Sequence, residues 1–268
     1  MRGREGRRAA GEGYSGLAWI GLLLLAASFV WIQLTAKPRS LTRLDTRPSQ
    51  DAPFATVIID AGHGGQDSGT IKTGLVEKEL ALDVARRLQR HLQERGFVTL
   101  MTRADDTYVS LQDRAIAANN QAEAVFVSIH FDDAGRAAAT GVETYYATHR
   151  ISLPERVAAW LPFLQRVSNE PPDHESENLA GFVQEALVTR TQATNRGTRS
   201  QQFFVIANVR HPAVLVEGGF LTNKDEAIRL TNEDYREQLA AGIADGIVNY
   251  RTNLLGQRTS LAVDVPSQ

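Results

Sequence analysis

Residues 56–70 read TVIIDAGHGGQDSGT. The run TVIID is short and β-branched, and it delivers its last residue, Asp60, into a glycine-rich loop, the pattern of a strand ending in a turn. Past that loop, from Glu77, apolar residues fall at Leu80, Val84, Leu88 and Leu92 with Ala81 and Ala85 beside them. This is one helical stripe, stopped by Gly96. FVTLMT (97–102) then predicts a second strand. Working outward, Ser110 and Asp113 form an S-x-x-D cap that opens a helix through Asn120. AVFVSIH (124–130) is a continuous apolar run, suited to a central strand covered on both faces. GVETYYAT (141–148), FFVI (203–206) and AVLVE (213–217) read as strands, and 176–191 and 233–250 as helices. The last helix carries the stripe Tyr235, Leu239, Ile243, Ile247 and Tyr250. Strands alternating with helices predict the α/β class: a single layered domain with a mixed, largely parallel central sheet flanked by helices. In such sheets a site lies beyond the carboxyl ends of the strands.

The domain is preceded by a different kind of segment. Arg2, Arg4, Arg7 and Arg8 lie in a basic start (1–14), and Gly13 to Ala36 carries no charge. A bilayer core takes about 20 apolar residues as helix. Residues 15–36 therefore read as one transmembrane signal-anchor, with Trp19 and Trp31 placed for the two interfaces and the basic end in the cytoplasm. A signal peptide cut after Ala36 is the competing reading, with Leu34 bulky for the −3 position. Either way everything after the segment is exported. The expected location is the cell inner membrane, single-pass, with the domain outside the cytoplasm. Residues 37–53 (KPRSLTRLDTRPSQDAP) are polar and hold three prolines, which suits a linker. The tail from Gly256 reads as loose, and 253–268 as flexible.

The chain has 268 residues, 43% hydrophobic and 22% charged, with 29 basic against 31 acidic side chains. That balance gives a net charge of −2 and none of the basic excess of a nucleic-acid binder. There is no cysteine, so disulfides and thiolate metal sites are excluded and any metal must be held by His, Asp or Glu.

Polar residues sit where the buried strands end. His63 follows the strand at 56–60, His130 closes 124–130, Glu217 closes 213–217, and Glu77 opens the first helix. Two imidazoles with a carboxylate match the ligand set of a catalytic zinc with one open position. A further carboxylate that is not a ligand supplies a general base. Each has a plainer reading: a strand-end histidine as a hydrogen-bonded structural residue, a glutamate at a helix start serving the dipole. The glycine loop is not a phosphate loop, because it lacks the G-x-x-x-x-G-K-[ST] spacing and carries two aspartates. Glu77 and Glu79 are about 200° apart around the helix, so both cannot face one metal, and spacing alone does not choose between them. His91, His149, His174 and His211 lie in polar segments or a turn and close no apolar strand.

VIIDAGHGGQDSGT, GLVEKEL, VFVSIH and PAVLVEGGFLTN, in this order, resemble the zinc-dependent N-acetylmuramoyl-L-alanine amidases of cell separation and endolysins. The resemblance runs from about Val57 to Tyr250, which makes 54–252 a catalytic domain. It implies one Zn2+ bound by His63, Glu77 and His130, so it selects Glu77 over Glu79. It makes Glu217 the catalytic carboxylate, taking a proton from water and giving it to the leaving amine. The implied substrate is peptidoglycan, cut between N-acetylmuramic acid and L-alanine of the stem peptide. The implied setting is wall remodelling or cell separation. The motifs fix metal and base rather than sugar. A zinc peptidase or amidase acting on another small amide, or a tethered wall-binding protein without activity, therefore remain alternatives. The expected partners are the wall and the membrane, with no nucleic acid; a need for an activator protein is left open.

Arg103, Arg114 and Arg196 also match. Arg196 is the candidate substrate-binding residue, and Arg114 reads as structural. Two departures stand out. Phe131-Asp132-Asp133 follow the second histidine, where the family has a small residue and Asn. Residues 149–175 form an insertion with Trp160, Phe163 and Leu164 on one apolar face. Because loops after strands line the active edge, a lid over the groove is one reading of it and a helix on the flank is the other.

Overall fold

The computed structural model describes residues 53–72, 74–132, 139–150 and 173–263. The anchor segment 15–36, the linker up to 52, and 151–172 of the insertion lie outside the described residues. Among the described residues no helix is long and apolar enough to cross a membrane.

The elements in chain order are β1 (Thr56–Ala61), β2 (Ile71–Lys72), β3 (Leu75–Val76), α1 (Glu77–Glu94), β4 (Val98–Met101), α2 (Leu111–Asn119), β5 (Ala124–Asp132) and β6 (Val142–Tyr146). They continue with α3 (His174–Thr191), β7 (Asn195–Ser200), α4 (Phe204–Ala207), β8 (Ala213–Phe220), α5 (Lys224–Thr231) and α6 (Glu233–Val263). Six strands form one sheet in the order β4-β1-β5-β8-β6-β7. The neighbours β4, β1, β5 and β8 are parallel, β6 is antiparallel to β8, and β7 is parallel to β6. The sheet is mixed and largely parallel, as expected. The pair β2–β3 is a separate small hairpin.

Both faces are covered, which is why β1, β5 and β8 are apolar without alternation. One face presents Val57, Ile59, Val125, Val127, Val214 and Val216 to the stripes of α1, α3 and α6. The other presents Ile58, Phe126, Ala213 and Leu215 to α2 and α4. The cap of α2 is the expected one: Ser110 Oγ accepts from the Asp113 N–H at 3.1 Å. On the α2/α4 face the residues nearest the carboxyl ends turn polar: Asp60, Ser128, His130 and Glu217, all in register across three strands.

Two expectations are corrected. FFVI is not a strand. Residues 204–207 form the short helix α4, whose Val205, Ile206 and Ala207 are buried over the sheet, because a four-residue apolar run carries no period that separates helix from strand. The strand in that region is β7, NRGTRS, a polar edge strand with mostly exposed side chains, a composition that suits an unpaired edge. The tail expected to be loose from Gly256 is helical as far as Val263. Of the insertion, only the residues at its two ends are described. Because β6 runs antiparallel to β8, it ends at the amino edge of the parallel strands, and the insertion leaves from there. Its two roots are tied together. The Asp173 N–H donates to Thr148 O at 2.8 Å, and Arg150 donates to both Asp173 oxygens at 2.7 Å. The roots of the insertion are thus at the amino edge, whereas the lid reading starts from the carboxyl edge.

Candidate active site

The site grows from the loop after β1. His63 adopts φ 59, in the left-handed region that costs a non-glycine residue about 1–2 kcal/mol. The loop is braced in that shape by two buried arginines. Arg103 donates to Ala61 O, Gly62 O and Lys78 O at 2.9, 2.6 and 2.8 Å. Arg114 donates to Ala61 O and His63 O, each at 2.6 Å. Arg114 also pairs with Asp60 at 2.6 Å, both side chains being almost fully buried. Asp60 further accepts from Thr102 Oγ1 and Ser128 Oγ, each at 2.6 Å. Burial works to raise the Asp60 carboxyl; the Arg114 charge and these donors outweigh it and hold it below the usual range. Arg103 and Arg114 are thus scaffolding for the loop.

Glu77 opens α1 beneath this loop and is buried, whereas Glu79 is exposed. Its Oε2 accepts from the Thr70 N–H at 2.8 Å and its Oε1 from the Phe131 N–H at 3.2 Å. The same Oε1 lies 3.0 Å from His63 Nε2 and 3.0 Å from His130 Nδ1. One ligand atom from each of His63, Glu77 and His130 lies within 4.8 Å of the others. Burial works to raise the Glu77 carboxyl, but the hydrogen bonds and charge of His130 and His63 override it and hold the group far below its ordinary value. His63 is also fixed from behind, Nδ1 meeting Asp67 Oδ2 at 2.9 Å. Burial lowers the His63 pKa, and the acceptors Glu77 and Asp67 more than compensate, so it is raised.

Two glycines let the loop approach the group closely. A Cβ on Gly62 would stand 2.4 Å from His130 Cε1, and one on Gly69 (φ +61) 2.6 Å from Glu77 Oε2 and 2.7 Å from His63 Cδ2. The ring centroids of His63 and His130 are 4.8 Å apart. Tetrahedral bonds of about 2.0–2.2 Å set ligand atoms roughly 3.3–3.6 Å apart. The 3.0 Å contacts around Glu77 Oε1 are close to that spacing. With a carboxylate behind one imidazole, the group has both the donors and the outer support of a divalent-metal site.

Glu217 lies beside this group: it pairs in register with His130 across β5 and β8. These residues open on a cavity of about 420 Å³. Its polar half is His63, Thr70, Glu77, His130 and Glu217; its apolar half is Leu111, Tyr145, Phe203, Phe204, Val205 and Leu215. Arg196 stands outside the cavity lining, on β7. Its Nε is 3.0 Å from Glu143 Oε2, and its guanidinium lies 4.6 Å over the Phe220 ring. Arg199 pairs with the other oxygen of Glu143, and Glu143 is the cross-strand partner of Glu217. Arg196 therefore touches the site at second hand.

The remaining histidines stay apart: His91 bonds Glu237 at 2.7 Å, His211 bonds Gln121 O at 3.0 Å, and His174 is exposed. Sequence reasoning missed Asp67 as the support of His63, although its spacing of four from the histidine was visible. It also missed the part played by Phe131, the departure after the second histidine. The Phe131 side chain is buried in the core and its N–H holds Glu77.

The comparisons with known proteins agree with this geometry. A family model described as N-acetylmuramoyl-L-alanine amidase matches residues 57–249. YqiI of Bacillus subtilis (strain 168), described as uncharacterized, is 38% identical over 199 residues, covering 73% of this chain and 84% of that one. The N-acetylmuramoyl-L-alanine amidase LytC of the same organism is 35% identical over 195 residues, 73% of this chain but 35% of LytC, so this chain spans about a third of that relative. The crystal structure of an N-acetylmuramoyl-L-alanine amidase from Clostridium difficile 630 superposes with a TM-score of 0.62 at 35% identity, covering 74% of this chain and 97% of that one. The catalytic domain of CwlV from Bacillus (Paenibacillus) polymyxa var. colistinus gives 0.61 at 34% identity, covering 74% and 98%.

Proposed function

The chain belongs to the N-acetylmuramoyl-L-alanine amidase family, and from that premise we propose that it is a zinc-dependent peptidoglycan hydrolase that cuts the amide between N-acetylmuramic acid and L-alanine of the stem peptide. The observation that carries the reading is the convergence of His63, Glu77 and His130 with Glu217 one strand away.

His63, Glu77 and His130 would hold the ion. When bound, zinc supplies a Lewis acid that lowers the pKa of water toward about 7 and polarises a carbonyl. The rest is the work of the chain. The Thr70 and Phe131 N–H groups fix the Glu77 carboxylate, and Asp67 fixes the His63 ring, so the donors are set before substrate arrives. Glu217 accepts one proton of the attacking water while the water oxygen bonds to the acyl carbon. As the carbon–nitrogen bond breaks, Glu217 passes that proton to the leaving nitrogen. The second water proton ends on the amine as well, so the products are a lactyl carboxylate on the sugar and an ammonium group on the peptide, and Glu217 returns to its starting state.

The test is mass spectrometry of digested peptidoglycan with and without a chelator. Free stem peptides, lost on chelation, are expected. Cleavage within the peptides, or an unchanged digest, would overturn the reading.

For location, the charge-free segment 15–36 behind four arginines supports an inner-membrane anchor with the domain outside the cytoplasm. Full-length protein should resist carbonate extraction from membranes. A soluble mature form beginning at Lys37 would replace the anchor by a cleaved signal.

A further inference from the structure

Half of the cavity wall does no chemistry in the mechanism above. Phe203, at the start of α4, is 37% exposed, and its ring meets Tyr145 edge-on, centroids 5.2 Å apart at 77°. That contact is the favoured geometry for an aromatic pair, and it fixes the Phe203 ring within the cavity lining. Tyr145 lies on β6 opposite Leu215 of β8, and both residues line the cavity. Beyond the metal-ligating group, then, the wall is a patch of ring and methyl surface.

The strand order gives this patch a direction. Across the sheet edge come β1 with the His63 loop, β5 with His130, β8 with Glu217, then β6 with Tyr145. The carbonyl oxygen of the scissile amide must face the His63–Glu77–His130 group. The nitrogen must lie near Glu217, because the group that protonates a leaving amine has to reach it within hydrogen-bond distance. The acyl carbon therefore sits by the β1–β5 side and the nitrogen toward β6, and because the amide is planar and trans its amine substituent leaves at the nitrogen end of the carbon–nitrogen line and its acyl substituent at the other.

We propose that Tyr145 and Phe203 form the subsite for the amine side of the bond, the L-alanine end of the stem peptide, and that the sugar side lies toward the His63 loop. The chemistry fits: the first amine-side group after the nitrogen is a methyl, which gains from an apolar wall. Phe203 is a specificity-determining residue here, contacting substrate without moving a proton.

The proposal rests on the amidase reading, and its test separates the two. Inhibition by each product half is measured on the full-length, zinc-loaded enzyme and on Phe203→Ala. The probes are a free stem peptide beginning with L-alanine and N-acetylmuramic acid. The expected result is that the inhibition constant of the peptide rises about tenfold, while that of the sugar stays unchanged and zinc content stays at the wild-type level. A rise for the sugar instead, or no rise for either, overturns the assignment. If the alanine variant does not fold, Phe203→Leu keeps the bulk without the ring and should give a smaller rise for the peptide alone. Wild-type protein that releases no free peptide from peptidoglycan would instead refute the amidase reading. Release of peptide together with a sugar-specific effect of Phe203→Ala would refute only the orientation.

Discussion

At the carboxyl edge of the sheet, two imidazoles and two carboxylates line a cavity of about 420 Å³. At the amino edge, a second cavity of about 340 Å³ is ringed by Pro53, Arg150, Glu175, Arg210, His211 and Tyr250. The two are similar in size, both hold two glutamates, and they are wired differently, since only the second is also lined by arginines. At the amino edge Arg150 binds Asp173 through two nitrogens and Glu175 through one, cation against carboxylate. His211 there is held below its ordinary pKa, by burial first and then by the charges of Arg150 and Arg210. At the carboxyl edge no arginine among the described residues pairs with Glu77. Its oxygens are held by backbone N–H groups and face two imidazoles, so its electron pairs converge with theirs on one point. A cluster of titratable groups acquires chemistry when its donors converge on a point, and it becomes structure when each is cancelled by a neighbour.

The sharpest way to break that contrast is to remove a donor. Glu217→Gln keeps the shape and removes proton transfer, and should cost about 10²–10⁴ in rate with zinc content near wild type. His130→Ala should lose most of the zinc as well, while Glu79→Ala, on an exposed side chain, should lose little. Near wild-type turnover by Glu217→Gln would remove it from the mechanism, and full zinc in His130→Ala would remove it from the ligand set.

The next largest effect lies beneath the site, where a cation does cancel a carboxylate. Arg114→Met leaves Asp60 buried without its ion pair, and should cost about 3–5 kcal/mol in urea unfolding of metal-free protein at neutral pH. The sign with pH is defined. In wild type the Asp60 pKa is lowered, so its contribution is complete above the carboxylate range and is lost as pH falls through the folded value. In the variant burial is the largest remaining influence and raises Asp60. The deficit should then shrink as the pH is lowered. A deficit that grows toward acid would mean that Arg114 does not control Asp60.

A smaller effect separates the two histidines. In metal-free protein followed by NMR, His63 should titrate above the ordinary 6.5 and His211 below it. Asp67→Asn should bring His63 down and weaken metal binding by about 10- to 100-fold, the usual cost of losing an outer-shell partner. Unchanged affinity would show that the Asp67 contact at 2.9 Å does not orient the ring.

Much of the site was legible in the sequence, and for a physical reason. His63, His130 and Glu217 each follow or close an apolar run, so a buried strand delivers each to the edge. Glu77 was not separable from Glu79 by spacing; the resemblance chose it, and the fold supplies the cause, since Glu77 turns under the loop and Glu79 into solvent. The polar edge strand β7 has no hydrophobic period to read, and FFVI has too few residues to show one. The direction of β6 was the costliest omission. Alternation in GVETYYAT marks a strand and its faces but carries no information on whether it runs with or against its neighbour. The placement of the insertion at the wrong edge follows from that.

The insertion gives the smallest effect and the most direct test of the two-edge contrast. Its roots, Arg150 and Asp173, are joined at the amino edge, with Arg150 also donating to Arg210 O at 2.7 Å. Glu217 and its cross-strand partner Glu143 are at the other end of β6 and β8. The roots leave from the amino edge, and the contact that leads from them toward the cavity is at His149 O, which accepts from Gln202 Nε2 at 3.2 Å beside Phe203. Because the Asp173 N–H already donates to Thr148 O at 2.8 Å, a short Gly/Ser turn can replace residues 151–172 without moving either root. That replacement should leave zinc content and turnover on purified peptidoglycan unchanged. The Arg150–Asp173 pair should still hold the edge, so Arg150→Ala in the shortened protein should cost about 1–3 kcal/mol by leaving a buried carboxylate without its partner, again with turnover intact. A rise in turnover on replacement would restore the segment as an inhibitory cover despite its roots at the amino edge. A fall would mean that the amino edge reaches the chemistry after all.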